Sequence, residues 1–341
     1  MSTHAQGRDP LPVAVIGCGR MGRLHARCYG QMPQVTLVGV HDASASAAQE
    51  TARQFNTTAF ASAGPLLDRA KAVSIAVPTE HHLTVAEPFL KRGIACLIEK
   101  PLARDEQESR RIVELARDGG AVVQVGHIER FNPAVRALEK MQLRPRFIEV
   151  ARISPMTFRS IDVGVVLDMM IHDLDIVLKL AGSKVARVEA AGVSVIGGVE
   201  DICNARLTFE NGCVANVTAS RLAMRTERRL RVFASDAYVS IDYQKKEGIV
   251  VRRAGNLEAV RQAVAQIRSG QLRDLAQVNF QDMVRVEKLP TDDVEPIRAE
   301  LEAFVAAATG QSAPAVTAEE GLAAVSLAGR IVAAIPQDSS V

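Results

Sequence analysis

Residues 13–26 read VAVIGCGRMGRLHA, four apolar residues running straight into Gly17, Gly19 and Gly22, with a helical pattern continuing to Tyr29. An apolar run that feeds GxGxxG and then a helix is the opening of a βαβ dinucleotide-binding unit. Gly17 permits the tight turn, Gly19 lets backbone approach a pyrophosphate, and Gly22 allows close helix-to-strand packing. The free amides at the helix start, around Arg20 and Met21, then face phosphate. The second apolar run, 35–40, leads to Asp42, twenty residues beyond Gly22, where a carboxylate would bond the adenine ribose. A carboxylate there repels a 2′-phosphate by on the order of a few kcal/mol. NAD is therefore the expected cofactor rather than NADP, with His41 and Arg20 as nearby cations that soften the preference.

Working outward, apolar runs at 72–77, 94–98 and 121–125 alternate with helical patterns at 82–92 and 104–118, the latter stopped by Gly119-Gly120. Buried strands alternating with helices predict a parallel sheet covered on both faces, so residues 11–126 read as a Rossmann domain after a flexible leader, 1–10. Beyond Gly126 the order changes to a helix (133–141), a strand (146–153), a helix (166–180) and several consecutive strands. This predicts a second, α+β domain over 127–295, built on an open, mainly antiparallel sheet. Asn211-Gly212 suits a two-residue hairpin turn. Cys203, Ala205, Leu207 and Phe209 alternate with polar residues and predict one apolar sheet face. Residues 256–268 read as a helix without chemistry. Arg221, Arg225, Arg228, Arg229 and Arg231 form a local basic cluster that could meet a phosphorylated ligand, though exposed strand positions or salt bridges between subunits are the plainer reading. Residues 296–341 hold two Ala-rich amphipathic helices.

The chain has 341 residues, 48% hydrophobic and 23% charged, an ordinary globular composition and a prior for two domains. No apolar run approaches the roughly 20 residues needed to cross a bilayer, and the polar start is unlike a signal peptide, so a cytoplasmic protein is expected. With 41 basic against 39 acidic residues, 4% aromatics and no Trp, nucleic acid is not an expected partner. The five cysteines include no CxxC pair, and no His or Asp finds a third ligand at zinc spacing, so reduced thiols and no metal are expected.

Two further motifs carry the chemistry. Glu99-Lys100-Pro101 ends the run 94–98, at the strand edge where open α/β sheets bind ligands. Asp168-Met-Met-Ile-His172 sets a carboxylate and an imidazole at i and i+4 of a helix, with Asp175 and Lys179 extending the polar stripe. Alone, the first reads more simply as a surface lysine before a helix and the second as the solvated side of an amphipathic helix.

Taken together, AVIGCGRMGRLHA, Asp42, VPTEHH at 77–82, EKP at 99–101 and DMMIHD at 168–173 resemble the Gfo/Idh/MocA oxidoreductases over nearly the whole chain. The resemblance implies a catalytic Lys100, with Asp168 and His172 completing the polar site, and cofactor contacts from Pro78, Thr79, His82 and Glu99. Oxidation of an alcohol, the activity it implies, needs a base in reach of the hydroxyl proton. His172 has a reference pKa suited to that task, with Asp168 to orient it, while Lys100 would hold the reacting oxygen or, with a depressed pKa, act as the base itself. The residues leave this choice open. It also implies final helices that return to the nucleotide domain, and an open sheet that joins homodimers or homotetramers. GHIERFNPA at 126–134 and the segment 159–177 resemble the branch that oxidises the 3-hydroxyl of UDP-N-acetylglucosamine, which makes His127 and Arg159 candidate substrate contacts. Oxidation or reduction of another sugar or cyclitol is the alternative, as is a non-catalytic NAD-binding regulator of the same fold. The presence of both Lys100 and His172 counts against the regulator.

Overall fold

The computed structural model describes residues 9–156, 162–196, 198–253, 257–270 and 284–336. The chain forms two compact units, one running to Phe131 and taking back Val294–Arg330, the other built from Asn132–Asp293 and the residues after Arg330.

The first unit threads β1 (Leu11–Ile16), α1 (Arg20–Tyr29), β2 (Val35–His41), α2 (Ala45–Gln54), β3 (Ala59–Phe60), β4 (Ala72–Ile75), α3 (His82–Leu90), β5 (Ala95–Glu99), α4 (Glu106–Gly119) and β6 (Val123–Gly126). Its six strands lie in the order β3-β2-β1-β4-β5-β6, all parallel, so the winding reverses between β1 and β4 beside the glycine loop. Such a switch point opens a ligand crevice at the carboxyl ends of the strands. Local chemistry sets the helix ends. Asp105 Oδ1 accepts from Glu108 N at 2.9 Å to cap α4, and Gly120, at φ +63°, closes it in a left-handed turn.

Two helices from the far end of the chain complete this unit. In α8 (Pro296–Ala308), Ile297, Leu301, Phe304 and Val305 are buried in one core with Val13, Val15, Tyr29 and Leu97. At about 1.5–3 kcal/mol for each such side chain, this helix is part of the core rather than an appendage. In α9 (Ala318–Ala334), Gly321 lies so close to β6 that a Cβ there would sit 2.7 Å from Val125 Cγ2.

The second unit contains α5 (Pro133–Lys140), β7 (Pro145–Ile153), α6 (Ile171–Ala181), β8 (Val185–Val193), β9 (Ile202–Phe209), β10 (Val214–Ser220), β11 (Glu227–Ala234), β12 (Ala237–Asp242), β13 (Glu247–Arg253), α7 (Leu257–Arg268) and β14 (Val284–Lys288). Its eight strands run β14-β13-β12-β11-β7-β10-β9-β8, antiparallel throughout except for the parallel pair β7 and β10. Cys203, Ala205, Leu207 and Phe209 all lie on the buried face, and α5 and α6 pack on the sheet.

Two local expectations fail. The turn at Asn211-Gly212 is not a two-residue hairpin. Only Gly212 has positive φ, at +82°, Gly212 N donates to Phe209 O at 2.9 Å, and Asn211 Oδ1 accepts from Cys213 N at 3.0 Å. A three-residue loop with a left-handed glycine satisfies the strand twist equally well. The segment 166–180 is not one α-helix. Val166–Met170 is a π-helical turn, with Ile171 N donating to Val166 O, and α6 begins only at Ile171. Among the described residues no helix is long and apolar enough to cross a membrane, and all five cysteines are buried free thiols.

Candidate active site

The glycine loop is shaped by close contacts. Gly17 has φ +93°, and a Cβ on Gly22 would overlap Gly17 O, so both positions exclude a side chain. Gly19 differs: a Cβ there would meet nothing within 4 Å, and Gly19 is exposed at the start of α1 with no side-chain cap on that helix. The amides at the head of α1 are thus open to a diphosphate, with Arg20 exposed and Met21 half-buried beside them.

Asp42 follows β2, and its carboxylate is held in place by backbone amides. Oδ2 accepts from Cys18 N at 2.6 Å and Oδ1 from Ser44 N at 2.7 Å. This tie fixes the acid at the lip of the loop, with oxygen lone pairs remaining for a ribose hydroxyl. The loop and the acid together fit NAD. NADH is expected to bind at least tenfold tighter than NADPH, and Asp42→Ala to narrow that ratio, in fluorescence titrations of the two cofactors; equal affinities in the unmodified protein would show that the carboxylate does not discriminate.

Two loops flank the carboxyl end of β5. After β4, Pro78 is exposed and Thr79 half-buried, and His82 starts α3. The His82 ring is buried, with Nδ1 3.0 Å from Pro101 O and 3.2 Å from Leu102 O and Nε2 3.1 Å from Val77 O. It therefore joins the two loops. Burial draws its pKa down, against the pull of the three carbonyls. Lys100 is half-buried and joined to Pro101 by a cis peptide, and its amide donates to Glu99 Oε2 at 3.3 Å. The Glu99 side chain is buried, with Oε1 3.2 Å from His25 Nε2 on α1. Burial alone would raise the Glu99 carboxyl, but the contact with His25 and the charges of His25 and Lys100 overcome it and hold the group below its usual range. His127 follows β6, buried, with its amide donating to Val125 O at 2.8 Å.

In the second unit the π-helical turn carries Asp168, and α6 carries His172, both half-buried. The pair straddles the change from a π to an α turn, a kind of bulge that recurs at functional sites. Glu200 holds the head of the turn: Val165 N donates to its carbonyl at 3.0 Å and Val166 N to its Oε1 at 3.1 Å. Gly164 is needed there, since a Cβ would overlap the Glu200 carboxylate. Arg221 braces the approach, its Nε donating to Asp201 Oδ1 at 2.6 Å and its Nη1 to Val163 O at 2.8 Å. Beneath His172, Arg152 of β7 grips Asp173 of α6 through Nε at 2.6 Å and Nη2 at 2.9 Å, both side chains buried. Asp175 is buried as well, while Lys179 is exposed, so the polar stripe of this helix is solvated only at its far end. Arg159 lies outside the described residues. Of the arginine cluster, Arg221, Arg229 and Arg231 are engaged in ion pairs with Asp201, Glu227 and Glu149.

Sequence reading did not single out Arg152, Asp173, Glu200, His25 or Glu300. Glu300 carried a signal, an acid at i, i+1 and i+4 from Leu301 and Phe304 on the apolar face of α8.

Residues 11–127 match the family described as "Oxidoreductase family, NAD-binding Rossmann fold", and residues 149–240 match the GFO/IDH/MocA C-terminal domain. The chain is 40% identical over 234 residues to a UDP-N-acetylglucosamine 3-dehydrogenase from Acidithiobacillus ferrooxidans, covering 68% of this chain and 74% of that one. A solved structure of an A. ferrooxidans UDP-N-acetylglucosamine 3-dehydrogenase superposes with a TM-score of 0.85 at 32% identity, covering 96% of this chain and 98% of that one. An inositol 2-dehydrogenase from Rhizobium meliloti is 26% identical over 347 residues, 96% of this chain and 97% of the relative. Glycine loop, anchored acid and strand-end lysine thus sit in a chain whose relatives are dehydrogenases, and the protein is a member of the Gfo/Idh/MocA family, an NAD-dependent oxidoreductase acting on a CH–OH group.

Proposed function

We propose that the protein oxidises a secondary hydroxyl of a nucleotide-activated hexose, the C3 hydroxyl of UDP-N-acetylglucosamine, to a ketone. The observation that carries this reading is the 40% identity to a UDP-N-acetylglucosamine 3-dehydrogenase. The resemblance of GHIERFNPA at 126–134 to that branch supports it, with His127 as the sugar contact and Arg159 as a planar donor to the diphosphate.

NAD, when bound, accepts the hydride at its nicotinamide C4. The loop from Gly17 to Gly22 and Asp42 bind and orient the diphosphate and ribose, and Pro78, Thr79, His82, Glu99 and Lys100 form the wall toward the reacting end. Lys100 bonds the substrate oxygen and stabilises negative charge as the O–H bond breaks. The imidazole of His172, oriented by Asp168, takes the hydroxyl proton; carbon loses a hydride, oxygen loses a proton, and a carbonyl remains. We assign Lys100 as electrophile and His172 as base. A homodimer or homotetramer belongs to the same reading, joined through the sheet face opposite α5 and α6, where Phe147, Phe233 and Tyr238 cluster with centroids 5.7 and 4.8 Å apart.

The test is NADH formation with UDP-N-acetylglucosamine, N-acetylglucosamine, myo-inositol and glucose at matched concentrations, with a coupled aminotransferase to withdraw the ketone. The nucleotide supplies remote binding energy that orients the sugar, so the UDP-sugar is expected to turn over at least a hundredfold faster than the free sugar. Faster oxidation of myo-inositol would overturn the substrate assignment and favour the activity named for the inositol dehydrogenase relatives.

A further inference from the structure

The first unit buries three titratable side chains beside Lys100 that the proposed oxidation does not use. His25 comes from α1, Glu99 from the end of β5 and Glu300 from α8, and a ligand atom of each lies within 4.8 Å of the others. His25 and Glu300 are fully buried and Glu99 is 8% exposed. His25 Nε2 is 3.2 Å from Glu99 Oε1. Neither carboxylate oxygen of Glu300 has a hydrogen-bond partner, nor does Nδ1 of His25. Two carboxylates cannot both remain ionised in such a space, because burial and mutual repulsion both favour a proton on one of them. A proton on Glu300 leaves a single buried carboxylate, that of Glu99, beside His25.

The surrounding groups leave that assignment to these three. From α1, Tyr29 hydroxyl bonds Ser74 at 2.7 Å, and Cys28 lies in the same core. From β6, Gln124 Nε2 donates to the backbone carbonyl of Glu300, at 3.0 Å, and not to its carboxyl. The turn Ile128–Phe131 packs on α8 and brings Glu129 and Arg130, the latter paired with Glu320 at 3.3 Å. Glu99 is also boxed in by β6, since a Cβ on Gly126 would lie 3.0 Å from its Oε2.

We propose that Glu300 is a positioning residue: held as the neutral acid within 4.8 Å of Glu99, it keeps a second charge out of this core and, with His25, leaves in place the carboxylate on which the Lys100 backbone amide is set. A helix from the far end of the chain thereby sets the geometry of the lysine turn. The inference rests on the reading of Lys100 as the contact to the reacting hydroxyl.

Burial, with the Glu99 charge second, raises the Glu300 carboxyl well above its ordinary value. A group whose folded pKa is raised contributes stability that is whole below the unfolded pKa and lost as pH climbs to the folded one. Glutamine keeps the shape and the neutrality and cannot ionise. The melting temperature of Glu300→Gln relative to the unmodified protein is therefore expected to rise with pH above about 5, reaching several degrees by pH 8. At pH 7, Glu300→Leu is expected to lower kcat about tenfold while NADH affinity stays within about threefold, and Glu300→Gln to recover most of the loss.

A melting difference that is flat with pH would overturn the proposal, as would a Glu300→Gln variant no more active than Glu300→Leu. A stoichiometric divalent metal found by elemental analysis, whose removal by chelator lowers the melting temperature, would overturn it too, replacing the Glu300 proton with a cation site. The melts need no turnover, so they decide the cluster even where Glu300→Leu does not fold. Near-normal turnover of Lys100→Ala would instead sink the reading of the site, and the two failures are separately visible.

Discussion

Lys100→Ala and His172→Ala are each expected to lose a hundredfold or more in kcat while NADH still binds with nearly its original affinity. The size follows from the removal of a positioned acid or base, and the retained affinity from the distance in sequence and role between these side chains and the adenine-binding acid, Asp42. Steady-state NADH formation, read beside a fluorescence titration of NADH, checks both halves. The two variants are expected to differ in shape as well as size. Loss of the base removes the acidic limb of the pH profile of kcat/KM, and loss of the electrophile lowers the whole profile without moving that limb. Near-normal turnover in either variant would remove that residue from the mechanism. An acidic limb abolished by the lysine replacement and kept by the histidine replacement would exchange their roles.

Breaking the ion pair beneath α6 is expected to be the most damaging change to stability. Arg152 and Asp173 are both buried, with two short bonds between them, and the guanidinium also stacks 5.4 Å from the Tyr243 ring centroid. Removing one partner of a buried ion pair costs about 3–5 kcal/mol. Asp173→Ala or Arg152→Met should therefore lower the melting temperature by about 10 °C. The double replacement Arg152→Met with Asp173→Leu removes both charges together and is expected to recover much of that loss. Additive losses in the double variant would mean that the helix depends on the pair itself rather than on the avoidance of a lone charge. Because Asp173 adjoins His172, the single variants are expected to lose turnover as well, through misplacement of the imidazole.

The features legible in the chain alone were those encoded locally. The glycine loop announces itself because three glycines, an apolar run and a helix are contiguous, and two of the glycines, Gly17 and Gly22, answer contacts that the fold makes. Lys100 is legible because a strand end is a fixed place in an α/β sheet. What escaped reading was set by long-range topology. Arg152 and Asp173 are 21 residues apart, and Gln124 meets the backbone of Glu300 across 176 residues; no pattern of spacing encodes either encounter. The π turn escaped for another reason. Five residues are too few to separate its wider period from that of an α-helix, and only the bond from Ile171 N to Val166 O reveals it. At Asn211-Gly212 the residue types were right for a turn, while the loop length that selects between turn types is a property of the strand register.

Residues 294–330 finish the nucleotide-binding unit after the chain has already traversed the other one. During synthesis this has a cost in time. The core around Val13, Tyr29 and Leu97 lacks Ile297, Leu301, Phe304 and Val305 until the ribosome has passed the whole of the intervening unit, so of the two the unit begun first cannot close before the other has been made. A nascent chain spends that interval with an apolar surface uncovered, at roughly 5–20 residues per second of translation. Excising the cofactor-binding half as a stand-alone protein would likewise require splicing the returning segment onto Phe131, and a simple truncation would leave the hydrophobic seam open.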